Sequence, residues 1–452
     1  MKFSSIFNYK LYSIDYWRFR SKMHKHQRIV EHNISKLSEF HEKNINFDFK
    51  NVNLKLLHEI LKHAKNNVPY YDKIISDGDI NSPDIFENIP ILTKQLIREN
   101  IDTLKSTNVP ESFLLARKTG GSTGEPLSFW SSGDTEMLHQ TFLYKLNGYK
   151  LGDKILVMDG TKINEDLLIK NIFWSQKNNG NMLPFGGMVL SSLYLNKNNI
   201  KIYLDFLISY KPEFIRGYPA FIYDIANFII ENKIDIGFEL KAIELTSELC
   251  LDYQIIAIEK GFDTKVIGQY GHTEACVFGY TIDSSFEYYC SPLYGAVEVL
   301  DENNNQVKEG EEGEIISTSF SNFAFPLIRY RTGDRAIFGG CSNGIVKLKK
   351  VLGRTADFII NKDNDKVLLT ALIFGQHFNA FAKIIKWQII QNEPGIVIIK
   401  IERSLGYSKL DEDEISSTFL NSGKTYVLFE YTAEFIKTKR GKTKFVIQNI
   451  LE

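Results

Sequence analysis

The feature that most constrains this chain is an alternation. Between Leu127 and Gly268, short apolar runs suited to strands take turns with stretches of helical spacing. The strand-like runs are Leu127–Trp130, Lys154–Met158, Phe214–Arg216, Ala242–Thr246 and Lys265–Gly268. Helix-like stretches occupy Glu136–Leu146, Ile200–Tyr210 and Phe221–Asn232. Strands joined through helices run parallel, because each helix carries the chain back across the sheet. An α/β fold with mostly parallel sheets is therefore predicted. After Gly279 the pattern changes to short strands, Ala296–Leu300 and Glu314–Ser319, around a turn at Asp301–Asn305, which predicts a β-rich subdomain. From about Gly353 onward, strands at Val397–Ile401 and Tyr426–Tyr431 predict a smaller α+β unit. Upstream, Leu54–Ala64 reads as a helix stopped near Asn67 by Pro69, and Thr93 reads as the N-cap of another.

Composition narrows the function classes. With 452 residues there is room for two or three domains, and a formal net charge of −1 gives no basic footprint for nucleic acid. No apolar stretch reaches the roughly 18 residues a membrane span needs, and no signal peptide is evident. Cys250, Cys276, Cys290 and Cys341 are widely spaced without a C-x-x-C, the pattern of a reduced, cytoplasmic protein. Residues 1–50 read as helical. Arg18, Arg20, Lys22, Lys25 and Arg28, near Tyr16, Trp17 and Phe19, suit a membrane-surface helix or a solvated helix lying on the main body. The second reading is preferred, because the run is short and broken by Asp15. His24, His26 and His32 do not share a helical face, so no metal site is expected there.

Five short stretches carry chemistry. Thr119, Gly120, Gly121, Ser122, Thr123 and Gly124 form a glycine- and hydroxyl-rich loop behind Lys118. Its backbone N–H groups suit an anion, and a plain Ser/Gly turn is the alternative. It lacks the Lys-Ser/Thr pair of a Walker loop. Gly268-Gln-Tyr-Gly-His-Thr-Glu274 follows a strand-like run; its tyrosine offers a flat face to a nucleobase, and Glu274 beside Thr273 suits Mg²⁺. Asp334 closes Arg329-Tyr-Arg-Thr-Gly-Asp, where a carboxylate can accept from both ribose hydroxyls. Gly353-Arg354-Thr-Ala-Asp357 stands where the pattern changes, and Lys437–Lys444 is basic.

In order and spacing these stretches resemble the adenylate-forming ligases, the superfamily of acyl–coenzyme A synthetases, peptide-synthetase adenylation domains and luciferases. The chain is most similar to the phenylacetate–coenzyme A ligase-like branch, particularly its members linked to capsule and surface-polysaccharide biosynthesis. His63–Tyr71, Ile89–Lys94, Arg216-Gly-Tyr-Pro219 and Leu245–Leu249 extend the similarity over nearly the whole chain. The resemblance implies a large N-terminal adenylation domain, residues 1–353 with a helical region over about 1–100, and a small mobile α+β domain, residues 354–452. It implies ATP and Mg²⁺, with a thiol such as coenzyme A or an amine as acceptor for a small-molecule carboxylate. The loop from Thr119 to Gly124 would surround the β- and γ-phosphates, and Ser247 and Glu248 would lie near adenine. Tyr270 and Gly271 would pack on the base, Thr273 would touch the α-phosphate and Glu274 would bind Mg²⁺. Asp334 would take the ribose and Arg354 support it, Asp357 would be the hinge, and Lys442 the catalytic lysine of adenylation. Tyr218, Phe185, Gly186 and His272 would line the acyl pocket. His272 departs from the small residue common at its position. Cys276 and Cys290 lack the pairing of the zinc site that some relatives carry. A non-catalytic nucleotide-binding protein on the same fold is the competing class.

Overall fold

The computed structural model describes residues 14–76, 89–119, 127–133, 135–176, 186–354, 358–369, 380, 383–437 and 444–450. Helices α1 (Ile14–Lys43) and α2 (Lys50–Asn67) come first. Strands β1 (Leu115–Lys118) and β2 (Ser128–Ser131) then form an antiparallel hairpin by themselves. The run Leu127–Trp130 is thus a strand, as expected, but it stays outside the main sheet.

Helix α3 (Glu136–Leu146) leads into the main sheet. Its strands are β3 (Ile155–Asp159), β4 (Trp174–Gln176), β5 (Met188–Ser191), β6 (Phe214–Gly217), β7 (Ala242–Thr246) and β8 (Val266–Gly271). It continues through β9 (Phe278–Tyr280), β10 (Tyr288–Cys290), β11 (Gly295–Leu300), β12 (Glu312–Ser319), β13 (Tyr330–Ser342) and β14 (Ile345–Arg354). These twelve run in the order β11-β12-β13-β14-β10-β9-β8-β7-β6-β3-β5-β4. Strands β5, β3, β6, β7 and β8 are parallel, and from β8 to β11 every pairing is antiparallel.

Helices α4 (Ile200–Tyr210), α5 (Pro219–Glu231) and α6 (Asp252–Phe262) supply the crossovers. The sheet is buried on both faces because successive strand residues point to opposite sides. Ile155, Phe214, Ala242 and Ile267 join one core with α1, α2 and α3. Leu156, Ile215, Ile243 and Val266 join the other with α4, α5 and α6.

A third core lies in a four-stranded sheet of order β19-β18-β17-β20, made by β17 (Ile384–Glu393), β18 (Ile396–Arg403), β19 (Tyr426–Tyr431) and β20 (Val446–Gln448). Strands β15 (Phe358–Ile360) and β16 (Lys366–Leu368) pair between the two larger sheets, and helix α7 (Lys409–Gly423) packs on β19. Lys386 meets Asp224 of α5 at 2.9 Å, and Lys197 meets Glu402 at 2.6 Å, so the small sheet rests against the helical face of the large one.

Thr93 caps its helix as the sequence suggests: its hydroxyl accepts from the Leu96 N–H at 3.2 Å. The neighbouring Leu92 pairs with the start of β13, its N–H on the Arg329 carbonyl at 2.9 Å. Thr93→Ala is expected to cost about 1 kcal/mol of stability, read as a lowered denaturant midpoint with an unchanged slope.

Candidate active site

In open α/β sheets ligands bind beyond the carboxyl ends of the parallel strands. Here those ends are Ser192 after β5, Tyr218 after β6, Ser247 after β7 and Gly271 closing β8. Ser247 holds a left-handed backbone, φ 72°, which is costly for a residue with a side chain. Its side chain is exposed at the strand end. Glu248 accepts from the Ala220 N–H at 3.3 Å, at the start of α5. Gly186 is also left-handed, φ 68°, and a Cβ there would meet the Ile155 carbonyl oxygen at 2.5 Å. Tyr218, just after β6, is buried, with its N–H on the carbonyl of Met158 in β3 at 3.1 Å.

Two polar clusters share one strand. Alternation places Tyr330, Thr332 and Asp334 on the same buried face of β13. The Tyr270 hydroxyl donates to Asp334 Oδ2 at 2.8 Å, and Arg354, opposite Asp334 in the β13–β14 register, brings its Nε to 3.4 Å from Oδ1. The Thr332 hydroxyl accepts from the Asp334 N–H at 3.0 Å, fixing the turn. Burial, reinforced by Asp334, raises the Tyr270 phenol well above its ordinary range, so it donates throughout the working pH range.

The second cluster follows β8. A turn closed by the Ala275 N–H on the His272 carbonyl (3.0 Å) leaves Thr273 exposed and Glu274 buried. The Tyr330 hydroxyl donates to Glu274 Oε1 at 2.6 Å, and His272 Nδ1 lies 3.5 Å from Oε2. Burial alone would raise the Glu274 pKa. His272 and Tyr330 outweigh it, and the carboxyl lies below its usual range. A buried, ionised carboxylate with no lysine or arginine paired to it among the described residues suits a hard cation. Both His272 ring nitrogens are buried without a hydrogen-bond partner. Cys276 and Cys290 are buried in different cores, and among the described residues no three ligating side chains gather.

Thr119 and Leu127, the described residues on either side of the glycine stretch, are joined by two hydrogen bonds, Thr119 N–H to Leu127 O and Leu127 N–H to Thr119 Oγ1, both 2.9 Å. Asn322 ties the hairpin down, donating to the Trp130 carbonyl at 2.9 Å and accepting from the Ser132 N–H at 3.3 Å. The expected residues Gly120, Gly121, Ser122, Thr123, Gly124, Phe185, Asp357 and Lys442 lie outside the described residues. The structure thus brings Tyr270, Asp334 and Arg354 together, and Glu274 with His272. Tyr330 and Asn322 were not singled out from sequence. Tyr330 was within reach, since it stands four positions before Asp334 on a strand of period two.

No family model matches the chain. It is 25% identical over 450 residues to Protein CapK of Staphylococcus aureus, covering 95% of each chain. It is 22% identical over 326 residues to phenylacetate-coenzyme A ligase of Pseudomonas putida, 68% of this chain and 71% of that one. Among solved structures, 2-hydroxyisobutyryl-CoA ligase in the postadenylation state aligns with TM-score 0.65 at 17% identity, covering 88% of this chain and 89% of the other. The chain belongs to the adenylate-forming ligase superfamily.

Proposed function

We propose that this protein is an ATP-dependent carboxylate ligase that forms an acyl-AMP, releases pyrophosphate and hands the acyl group to coenzyme A or an amine. Its setting in our reading is surface-polysaccharide assembly in the cytoplasm, supported by the resemblance to that branch and the likeness to CapK. The observation that carries the reading is the pair of clusters on β13: Tyr270–Asp334–Arg354, suited to a nucleoside, beside a buried Glu274 carboxylate. In the first step a carboxylate oxygen bonds to the ATP α-phosphorus, and the bond to the bridging oxygen breaks, with pyrophosphate leaving on its electron pair. In the second, the acceptor bonds to the acyl carbon, loses its proton, and AMP departs.

An anion must approach a polyanion, so neutralising charge is the main problem. Mg²⁺ held by Glu274 would supply that on the phosphates. Lys442 and Thr273 meet the charge that develops at the α-phosphate, and the loop from Thr119 to Gly124 surrounds the β- and γ-phosphates. Asp334 and Arg354 hold the ribose, Tyr270 and Gly271 the base, with Ser247 and Glu248 at its edge. Tyr218, Phe185, Gly186 and His272 shape the carboxylate pocket. Residues 354–452 form a second domain that turns about Asp357 between the two steps.

Exchange of labelled pyrophosphate into ATP, driven by a panel of aryl acids, uronic acids and amino acids without acceptor, tests the proposal. Exchange with one acid class is expected. Its absence while ATP still binds would turn the reading to a non-catalytic nucleotide-binding protein. Asp334→Asn should raise the KM for ATP about tenfold through loss of a charge-assisted hydrogen bond, with exchange at saturating ATP largely kept.

A further inference from the structure

Helix α1 lies on the main body, as preferred from the sequence: Phe19, Val30 and Leu37 are buried in the first core. Its cationic run is divided. Lys22 turns inward, with its ammonium 2.6 Å from His63 Nδ1 and 4.1 Å from the centre of the Phe323 ring. The other cations face out. Arg20, Lys25, Arg28 and Lys36 of α1 and Lys55 of α2 line one open groove of about 910 Å³, together with Trp17 and without an acidic side chain in its wall. From Trp17 to Lys36 the groove follows the helix for roughly 28 Å at the usual rise.

None of these five cations forms an ion pair with a described residue. Of the acids on the same two helices, Glu31 accepts from Gln27 at 3.2 Å, and Glu59 lies 3.9 Å from His26 and near enough to Lys25 and Lys55 for them to lower its pKa, without a direct ion pair to either. Trp17 is 54% exposed, with the Arg20 guanidinium 5.3 Å from its ring centre. On a chain of net charge −1 this is a concentrated local field. The sequence ahead of α1 adds a second element. Residues 1–13 contain Phe3, Phe7, Tyr9 and Tyr12 with Lys2 and Lys10, and no acid. A soluble polyanion would use the cations and leave the aromatic side chains idle. A bilayer surface uses both, phosphates against the cations and rings at headgroup depth.

We propose that this face is a docking surface for an anionic membrane, with lipid headgroup phosphates seated in the α1–α2 groove and Trp17 in the interface. It does not depend on the ligase reading. The test is sedimentation of the full chain with vesicles of phosphatidylcholine alone or mixed with phosphatidylglycerol, at low and high salt. The protein should sediment with the mixed vesicles only, and salt should release it. Arg28→Glu with Lys36→Glu should weaken binding at least tenfold, and Trp17→Ala should weaken it too, with thermal unfolding unchanged. If the charge reversals prevent folding, Arg28→Gln with Lys55→Gln is read in the same way. Equal binding to both vesicles, no binding to either, or unaltered binding by the charge variants would overturn the proposal. Displacement from vesicles by stoichiometric inorganic tripolyphosphate would overturn it as well, assigning the groove to a soluble phosphate ligand.

Discussion

Replacing Lys442 by alanine lowers carboxylate-dependent ATP–pyrophosphate exchange by roughly 10²–10³-fold, the loss expected when one preorganised donor to developing charge is removed. Lys442 lies outside the described residues, but the chain on either side of it is tied down. The Lys444 N–H donates to the Ile436 carbonyl at 3.1 Å. The Gln388 side chain clamps both flanks, donating to the carbonyls of Ile436 at 2.9 Å and Lys444 at 2.6 Å and accepting from the Ile436 N–H at 3.1 Å. Lys437 reaches the Ser192 carbonyl at 3.3 Å, at the end of β5 and so on the rim of the site. The described flanks of Lys442 are thus anchored on β17 and beside the strand ends. The kinetic split is decisive: a lysine that meets transition-state charge lowers kcat, whereas one that only attracts ATP raises KM. Lys437→Ala, which removes a contact to a backbone carbonyl, should cost less than tenfold. Unimpaired exchange by Lys442→Ala would remove Lys442 from the mechanism.

Acid should unfold the protein steeply below about pH 6, where histidine ordinarily begins to protonate. Burial lowers the pKa of His63 to about 3, with nearby Lys22 adding to the effect. His139 is lowered by burial to about 4, and His41, buried near Lys347, also to about 4. Each ring is neutral in the fold and hydrogen-bonded there: His63 to the Phe323 carbonyl, His139 to Ser291, and His41 to Tyr280. The unfolded chain binds protons to these rings below pH 6.5, while the folded one does not until near pH 3–4. Their contribution is therefore complete above about pH 6.5 and is lost as pH falls toward the folded values. At about 1.4 kcal/mol per ring per pH unit, three rings remove roughly 6 kcal/mol by pH 5. That is comparable with a typical total stability of about 5–15 kcal/mol. Denaturant unfolding at pH 7.5 and pH 5 measures it directly, and unfolding at pH 5 should take up about three protons through these rings. A flat profile would mean that the rings are charged in the fold.

The parallel block was legible because strands buried on both faces are near-continuous apolar runs. Ala242–Thr246 has the expected bounds, and so do the helices Glu136–Leu146 and Ile200–Tyr210. Helix α7 was not read, since only Asp411, Ile415, Phe419 and Gly423 are buried along its 15 residues and the apolar stripe is thin. Strands β13 and β14 were harder still. Arg331, Asp334 and Arg335 interrupt β13, and its buried face alternates core residues such as Tyr330 and Ala336 with the polar Thr332 and Asp334, so the segment reads as a motif and not as a strand. The location of β2 was invisible because its run is as apolar as its neighbours' and only the fold decides that β1 is its partner. In the site, Tyr270, Glu274 and Asp334 were legible as isolated chemistry. Their grouping was not, since it depends on β13 passing both clusters, a contact between residues 56 and 64 positions apart.

The left-handed backbone at Ser247 sets a limit on how this protein can be made hardier. A glycine there would adopt the same conformation without steric cost. Selection for heat resistance alone should therefore enrich Ser247→Gly, in spite of the hydroxyl that it removes from the mouth of the site. Selection for turnover should reject the same change, and a population passed between the two regimes would keep switching at this one codon.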